Sequence, residues 1–456
     1  MSVSSIFREY DIRGIFEKEL NEENAVKIGY LLGVELQKQG GKNLGIGYDA
    51  RVHSKQIFDW FCSGVARSGA VPYGLGEIPT PVGYFSLFCD FNGLVLDGNV
   101  MITGSHNPPQ YNGFKTTFLK KPFFGEEIYA LKEKFNALKP LEFIATKPKE
   151  LNVLDKYVEF LAKEFKHLEG FCMPLCIDCG NGVAGIGIKG IFDKLQIPYE
   201  GLYFEPDGNF PNHHPDPSEE ENLKDVKKNI AKNGGIGFAL DGDGDRLAVV
   251  RGERVYKGDE LAIIFAHKIP NPVVIGEVKC SLNMYESINK IGKAIMYKTG
   301  HSNLKVKLKE ANAHMAFEVS GHIFFNDRYF GYDDATYTLL RVLELLKEEG
   351  IEFDRILASL PKLYATDEIK IPASDEEKFL LMDKLKESLK NPPKDFPEII
   401  DIVTIDGIRV IFKEGWGLIR ASNTTPMLVT RFEAKSPTLK EVYQQKLLEL
   451  LEIIKG

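Results

Sequence analysis

GGIGFALDGDGDR, running from Gly234 to Arg246, sets an apolar run directly against three carboxylates spaced by glycines. A short continuous apolar run bounded by glycine reads as a buried strand, and the polar residues after it must lie on the loop leaving its carboxyl end. The same grammar recurs in NVMITGSHNP, Asn99 to Pro108, and in AHMAFEVSGH, Ala313 to His322. Each of the three has an upstream companion that reads strand, turn, helix: NLGIGYDARVHS from Asn43, PLCIDCGNGVAG from Pro174 and NPVVIGEVKCSL from Asn271. Three successive α/β units with mixed, mainly parallel sheets follow from this pattern.

Beyond about Pro361 the rhythm changes. ASDEEKFLLMDKLKESLK is an amphipathic helix, and DIVTIDGIRVIFKEGWGLIRAS reads as short strands around the hairpin dipeptide Asp406-Gly407. A last strand and a terminal helix with Ser436 or Thr438 as N-cap complete a smaller α+β domain, which carries its own polar loop, RASNTTP from Arg420. The expected class is α/β with four domains, at 1–150, 151–252, 253–362 and 363–456. Ligands of open α/β sheets bind beyond the carboxyl ends of the strands, so the four loops are expected to face one central cleft.

The 456 residues exceed what one core can organise, and 43% hydrophobic with 27% charged residues is ordinary globular composition. Arg8, Glu9 and Asp11 interrupt any apolar leader, and no run approaches the roughly 18 apolar residues of a membrane helix, so a cytoplasmic protein is expected. A net charge of −8 argues against nucleic acid and membrane surfaces as partners while leaving small anions open. Six cysteines in so long a chain make no disulfide framework; Cys176 and Cys179 of CIDC lack a second pair to complete a zinc cage and read as buried structural thiols. Without a coiled-coil heptad or isolated apolar helix face, a monomer or weak homodimer is expected.

Taken singly, the loops keep alternatives. Ser105 is not in a nucleophile elbow, because Thr103 and Asn107 stand where glycines are needed. It reads either as a phosphorylation site, with Gly104, His106 and Asn107 to receive a dianion, or as an N-cap with Pro108 opening a helix. Asp241, Asp243 and Asp245 form a hard-oxygen cation site; Arg246 and Gly252 stand where an EF-hand needs Gly and Glu, so Mg²⁺ completed by a phosphate oxygen fits better than Ca²⁺. Glu318, Ser320 and His322 suit the hydroxyls of a sugar, or are simply a polar strand end. Arg420 and the following SNTT hold a phosphate monoester, or form an Asx or Ser/Thr turn. GIGIKG, Gly185 to Gly190, satisfies a dinucleotide fingerprint, but Gly180-Asn181-Gly182 already make the turn after the strand, which puts Gly185 inside a helix.

With the four loops in this order, the chain resembles the α-D-phosphohexomutase superfamily over essentially its full length, from FREYDIRG to RASNTTPMLVTRFEA. Within it, TGSHNPPQYNGFK, PDGNFPNHHPDP and EVSGH are most similar to the bacterial phosphomannomutase/phosphoglucomutase group. The resemblance implies reversible transfer of phosphate between the 1- and 6-positions of mannose and glucose phosphates, by way of a phosphoserine and a hexose 1,6-bisphosphate. The phosphoserine falls on Ser105; Asp241, Asp243 and Asp245 bind Mg²⁺ with it; Arg246 stands beside the phosphoryl group. The sugar loop falls on Glu318, Val319, Ser320, Gly321 and His322, and the phosphate loop on Arg420, Ser422, Asn423 and Thr424. Tyr10, Arg13, Lys279 and His301 match active-site positions, and Lys115 matches a general acid/base whose pKa neighbouring cations would lower.

Two departures bear on the substrate: Phe317 stands where relatives usually have glycine, and CSLNM after Lys279 lacks a basic residue found in some. The runner-up readings are a phosphoglucosamine mutase, a Mg²⁺-dependent sugar phosphatase and a non-catalytic phosphosugar binder.

Overall fold

The computed structural model describes residues 6–374, 376–422 and 425–455. The chain divides into two compact units, one made of the residues up to Gly258 with Ser320–Phe353, the other of Asp259–Val319 with Asp354 onward.

The first unit holds two mixed sheets. In one, Ile12–Ile15, Tyr111–Phe118, Gly98–Ile102, Asn43–Tyr48, Val71–Glu77 and Lys149–Glu150 lie side by side in that order. The three pairings from Gly98–Ile102 to Lys149–Glu150 are parallel, and the two on the other side are antiparallel. The second sheet runs Arg254–Tyr256, Leu247–Arg251, Ile236–Leu240, Leu175–Asp178, Glu200–Leu202, again half antiparallel. Parallel pairing is therefore less dominant than the apolar runs suggest, because the chain doubles straight back after each polar loop and needs no helix to do so. Helices Glu22–Lys38 and Ser54–Ser68 cover the first sheet, burying Leu32, Leu36, Ile57, Phe61 and Val65 against Ile46, Val100 and Phe114. Each such side chain contributes roughly 1.5–3 kcal/mol.

No helix follows Ser105, which corrects the N-cap reading. Pro109 disfavours helical geometry at Pro108, and YNGFKTTF enters the sheet as Tyr111–Phe118, antiparallel to Gly98–Ile102. Met101 lies opposite Lys115 in this pair, so the hairpin carries Ser105 at its tip and Lys115 on its return strand. Gly185 to Gly190 lie within the helix Ala184–Leu195, as expected, and the dinucleotide reading is excluded.

In the second unit, Lys293–Tyr297, Val273–Glu277 and Met315–Phe317 pair in parallel. A wholly antiparallel sheet is built on Met427–Ala434, Gly415–Ala421, Ile408–Phe412 and Ile399–Val403, with the hairpin at Asp406-Gly407 where the dipeptide signals it. Leu439 donates its amide to Ser436 Oγ at 3.2 Å, which makes Ser436 the cap of the terminal helix Pro437–Lys455. Among the described residues no helix is long and apolar enough to cross a membrane. Five of the six cysteines are buried as expected, and Cys172 is exposed.

Candidate active site

Strand Gly98–Ile102 is buried along its whole length, and Ser105 leaves its end with φ +48°, a left-handed conformation that costs a side-chain-bearing residue about 1–3 kcal/mol. Its amide is tied to Thr103 Oγ1 at 2.8 Å. Its hydroxyl donates to Asp241 Oδ2 at 3.0 Å and lies 3.2 Å from His106 Nδ1.

Strand Ile236–Leu240 delivers the aspartates. A Cβ on Gly242 would stand 2.7 Å from the Ser105 carbonyl oxygen, so the closeness of the two loops depends on glycine there. Asp241 Oδ1 accepts the amides of Asp245 and Arg246 at 3.0 and 3.1 Å, which folds the loop around its first carboxylate. Lys115 Nζ bridges Asp243 at 2.7 Å and Asp245, and Thr80 Oγ1 donates to Asp243 at 2.6 Å.

All three aspartates are wholly buried. Burial, then Asp243 and Asp245, push the Asp241 carboxyl well above the usual range. Burial acts the same way on Asp243, but the Lys115 ammonium outweighs it and holds that carboxyl far below. Burial would lower Lys115, yet the three carboxylates overcome it and raise its pKa. This corrects the expectation of a lysine lowered by cations: its nearest neighbours are anions.

The donor set suits a metal. The three carboxylates converge, each offering an oxygen within 4.8 Å of the others, and Asp243 Oδ1 and Asp245 Oδ1 are buried without a hydrogen-bond partner. Such oxygens are costly unless a cation meets them.

Arg246 Nε donates to His322 Nε2 at 3.0 Å, and His322 Nδ1 lies 3.1 Å from Asp333 Oδ2 and 3.6 Å from Asp245 Oδ1. His322 thus belongs with the aspartates rather than with Glu318; Ser320 and Gly321 lie in the same unit as His322, and Glu318 and Val319 in the other. Arg13 pairs with Asp11 and lies opposite Gly113, two residues before Lys115. Tyr10 is half-buried just before that strand. Burial, then Arg246, press His106 well below its ordinary pKa.

The second unit holds the remaining candidates, several of them linked by hydrogen bonds. Lys279 Nζ pairs with Glu368 at 2.5 Å and stands 3.5 Å from Glu277 Oε1. Glu277 accepts Thr299 Oγ1 at 2.7 Å and the Val319 amide at 3.2 Å, while Glu318 Oε1 accepts the Gly300 amide at 2.6 Å. Asp406 Oδ2 joins the Thr299 amide at 2.9 Å to Arg420 Nε at 3.1 Å. His301 opens the helix His301–Glu310, its Nδ1 3.3 Å from Lys305 Nζ. Ser422 Oγ accepts the Thr425 amide at 3.1 Å, and Lys378 Nζ donates to the Ser422 carbonyl at 2.6 Å. Asn423 and Thr424 lie outside the described residues. Phe317 is in the strand before Glu318, its ring buried and stacked on Phe265, so the absent glycine is replaced by core packing.

Sequence reasoning passed over Asp49, Arg51, Asp216, Glu277, Asp333, Glu368 and Asp406. For Asp49, Arg51 and Glu277 the one local signal was position at or shortly past a strand end, in GYDAR and VIGEVK.

Four domain families match the chain in order. Phosphoglucomutase/phosphomannomutase alpha/beta/alpha domains I, II and III cover residues 4–137, 155–254 and 257–364, and the C-terminal domain covers 368–450. A phosphomannomutase/phosphoglucomutase of Pseudomonas putida is 37% identical over 98% of this chain and 96% of its own length. A phosphoglucomutase of Neisseria meningitidis is likewise 37% identical, over 98% and 96%. The crystal structure of a phosphoglucomutase/phosphomannomutase family protein from Burkholderia thailandensis superposes with a TM-score of 0.90 at 36% identity, covering 99% of this chain and 98% of that one. With the site geometry and full-length similarity in agreement, the chain belongs to the phosphoglucomutase/phosphomannomutase family of α-D-phosphohexomutases.

Proposed function

We propose that the chain interconverts the 1- and 6-phosphates of mannose and glucose, carrying phosphate on Ser105 through a hexose 1,6-bisphosphate. The observation that carries this reading is the Ser105 hydroxyl 3.0 Å from Asp241, within a buried, partly unsatisfied trio of carboxylates. In the forward step the Oγ–P bond of phosphoserine breaks as the free sugar hydroxyl bonds to phosphorus, and the hydroxyl proton passes to the protein. In the return step the sugar O–P bond of the other phosphate breaks as Ser105 Oγ bonds to phosphorus, and the proton given up by the serine hydroxyl goes to the sugar oxygen that leaves.

Asp241, Asp243 and Asp245 would hold Mg²⁺, which supplies charge neutralisation to the phosphoryl oxygens when bound. Arg246, kept in place by His322, faces the same charge from the protein side. Lys115, an ammonium at rest between Asp243 and Asp245, is suited to hand its proton to Ser105 Oγ as the Oγ–P bond breaks and to take the acceptor hydroxyl's proton in its place. Arg420, braced by Asp406, and the Ser422 turn are suited to the phosphate that is not reacting, and Glu318 to the sugar hydroxyls. Binding energy from that remote phosphate favours transfer to sugar over transfer to water.

Intact-mass spectrometry after incubation with glucose 1,6-bisphosphate tests the carrier. Wild type is expected to gain one phosphoryl group and Ser105→Ala none, with turnover falling at least about 1,000-fold, as befits loss of the group that bonds to phosphorus. Phosphate on any other residue contradicts the mechanism.

A further inference from the structure

Ser105 holds its left-handed conformation because something grips the backbone on both sides of it. All five guanidinium N–H groups of Arg51 are used, four of them on this one loop. Nη2 donates to the carbonyls of Ser105 at 2.9 Å and Asn107 at 2.5 Å; Nη1 donates to Pro108 at 2.6 Å and Tyr111 at 3.1 Å. Nε donates to Asp49 Oδ2 at 3.2 Å, and that same oxygen accepts the Gly104 amide at 3.0 Å. The guanidinium occupies the space a Cβ on Gly104 would need, 2.2 Å away, so the loop lies flat against it. Arg51 and Asp49 are both 2% exposed, and Ser54 Oγ braces Asp49 from behind at 2.5 Å. On the outer side the Phe210 ring, from the PDGNFPNHHPDP segment, covers the guanidinium at 5.1 Å.

We propose that Arg51, oriented by Asp49 and covered by Phe210, is the positioning residue that fixes the Ser105 loop for phosphoryl transfer. It reaches no reacting atom; it acts through four carbonyls to keep Ser105 Oγ aimed at Asp241. Only a planar fork can serve four divergent carbonyls and a carboxylate at once, so lysine, with three donors on one nitrogen, is not a substitute. The inference rests on Ser105 being the phosphate carrier.

The test is the turnover of Arg51→Lys and Phe210→Leu counted per phosphorylated Ser105, with phosphorylation measured by intact mass after treatment with glucose 1,6-bisphosphate. Arg51→Lys is expected to lower kcat per phosphorylated site by about 100-fold with KM within about threefold, the scale of a displacement of about 1 Å at the reacting oxygen. Phe210→Leu leaves the fork in place but loosens its cover, and is expected to lower the same quantity several-fold; it decides the matter should Arg51→Lys not fold. Wild-type turnover per phosphorylated site in the variants that fold overturns the proposal, since Arg51 then only supports the amount of folded protein. Absence of phosphate on Ser105 in wild type overturns instead the carrier reading on which it stands.

Discussion

Lys115 is the residue on which the charge balance of the first unit turns. Its ammonium sits among three buried carboxylates, pairs with two of them and is itself buried. Removing it leaves adjacent buried charges without a counter-ion, an effect of about 3–5 kcal/mol for a broken buried pair. Lys115→Met is therefore expected to lose that much stability in chelator and to recover most of it in Mg²⁺, whereas wild type changes much less. Urea unfolding of both proteins with and without Mg²⁺ measures this, and equal responses to the metal would argue that the carboxylates do not share a cation site with Lys115.

At the scale of elements, each polar loop is borne by a strand that the core fixes. The strands that carry Ser105, Asp241 and Glu318 were legible in the sequence, because a buried strand ending in a polar glycine-bearing loop is a local pattern. Their partners were not, because the partners come from afar: Arg51 meets the Ser105 loop across 54 residues, and Glu368 meets Lys279 across 89. The helix start, one of the two readings open for Ser105, fails for the opposite reason. Ser105 and Pro108 carry a local helix-start signal, and pairing with Gly98–Ile102 overrides it.

The Glu368 contact gives the second unit a pH signature. Lys279, helped by Arg431 and Arg420 and opposed by burial, lowers Glu368 from the ordinary 4.5 to about 2. A carboxyl lowered on folding adds stability that is fully present above its unfolded value and lost as pH falls through its folded one. The gap in unfolding free energy between wild type and Glu368→Gln should stay constant between about pH 5 and 8 and close progressively as pH falls from 4.5 toward 2. A gap that does not depend on pH, measured by denaturant titration across that range, would mean that the pair adds no charge-linked stability.

For the molecule as a whole, a net charge of −8 sits oddly with an anionic substrate until the cations are located. Lys115, Arg13, Arg246 and Arg51 gather around Ser105 and the aspartates in one unit, and Lys279, Arg420 and Arg431 cluster in the other. A small phosphosugar can meet these local sites whatever the net charge of the whole chain.

The proposed reaction moves phosphate between two positions of one sugar and never releases it to water. ³¹P NMR of the purified protein with Mg²⁺ and a trace of glucose 1,6-bisphosphate, given glucose 1-phosphate or mannose 1-phosphate in separate tubes, follows that movement directly. The prediction is growth of a hexose 6-phosphate resonance in both tubes with no inorganic phosphate. Inorganic phosphate as the product, or no change in either tube, would contradict it.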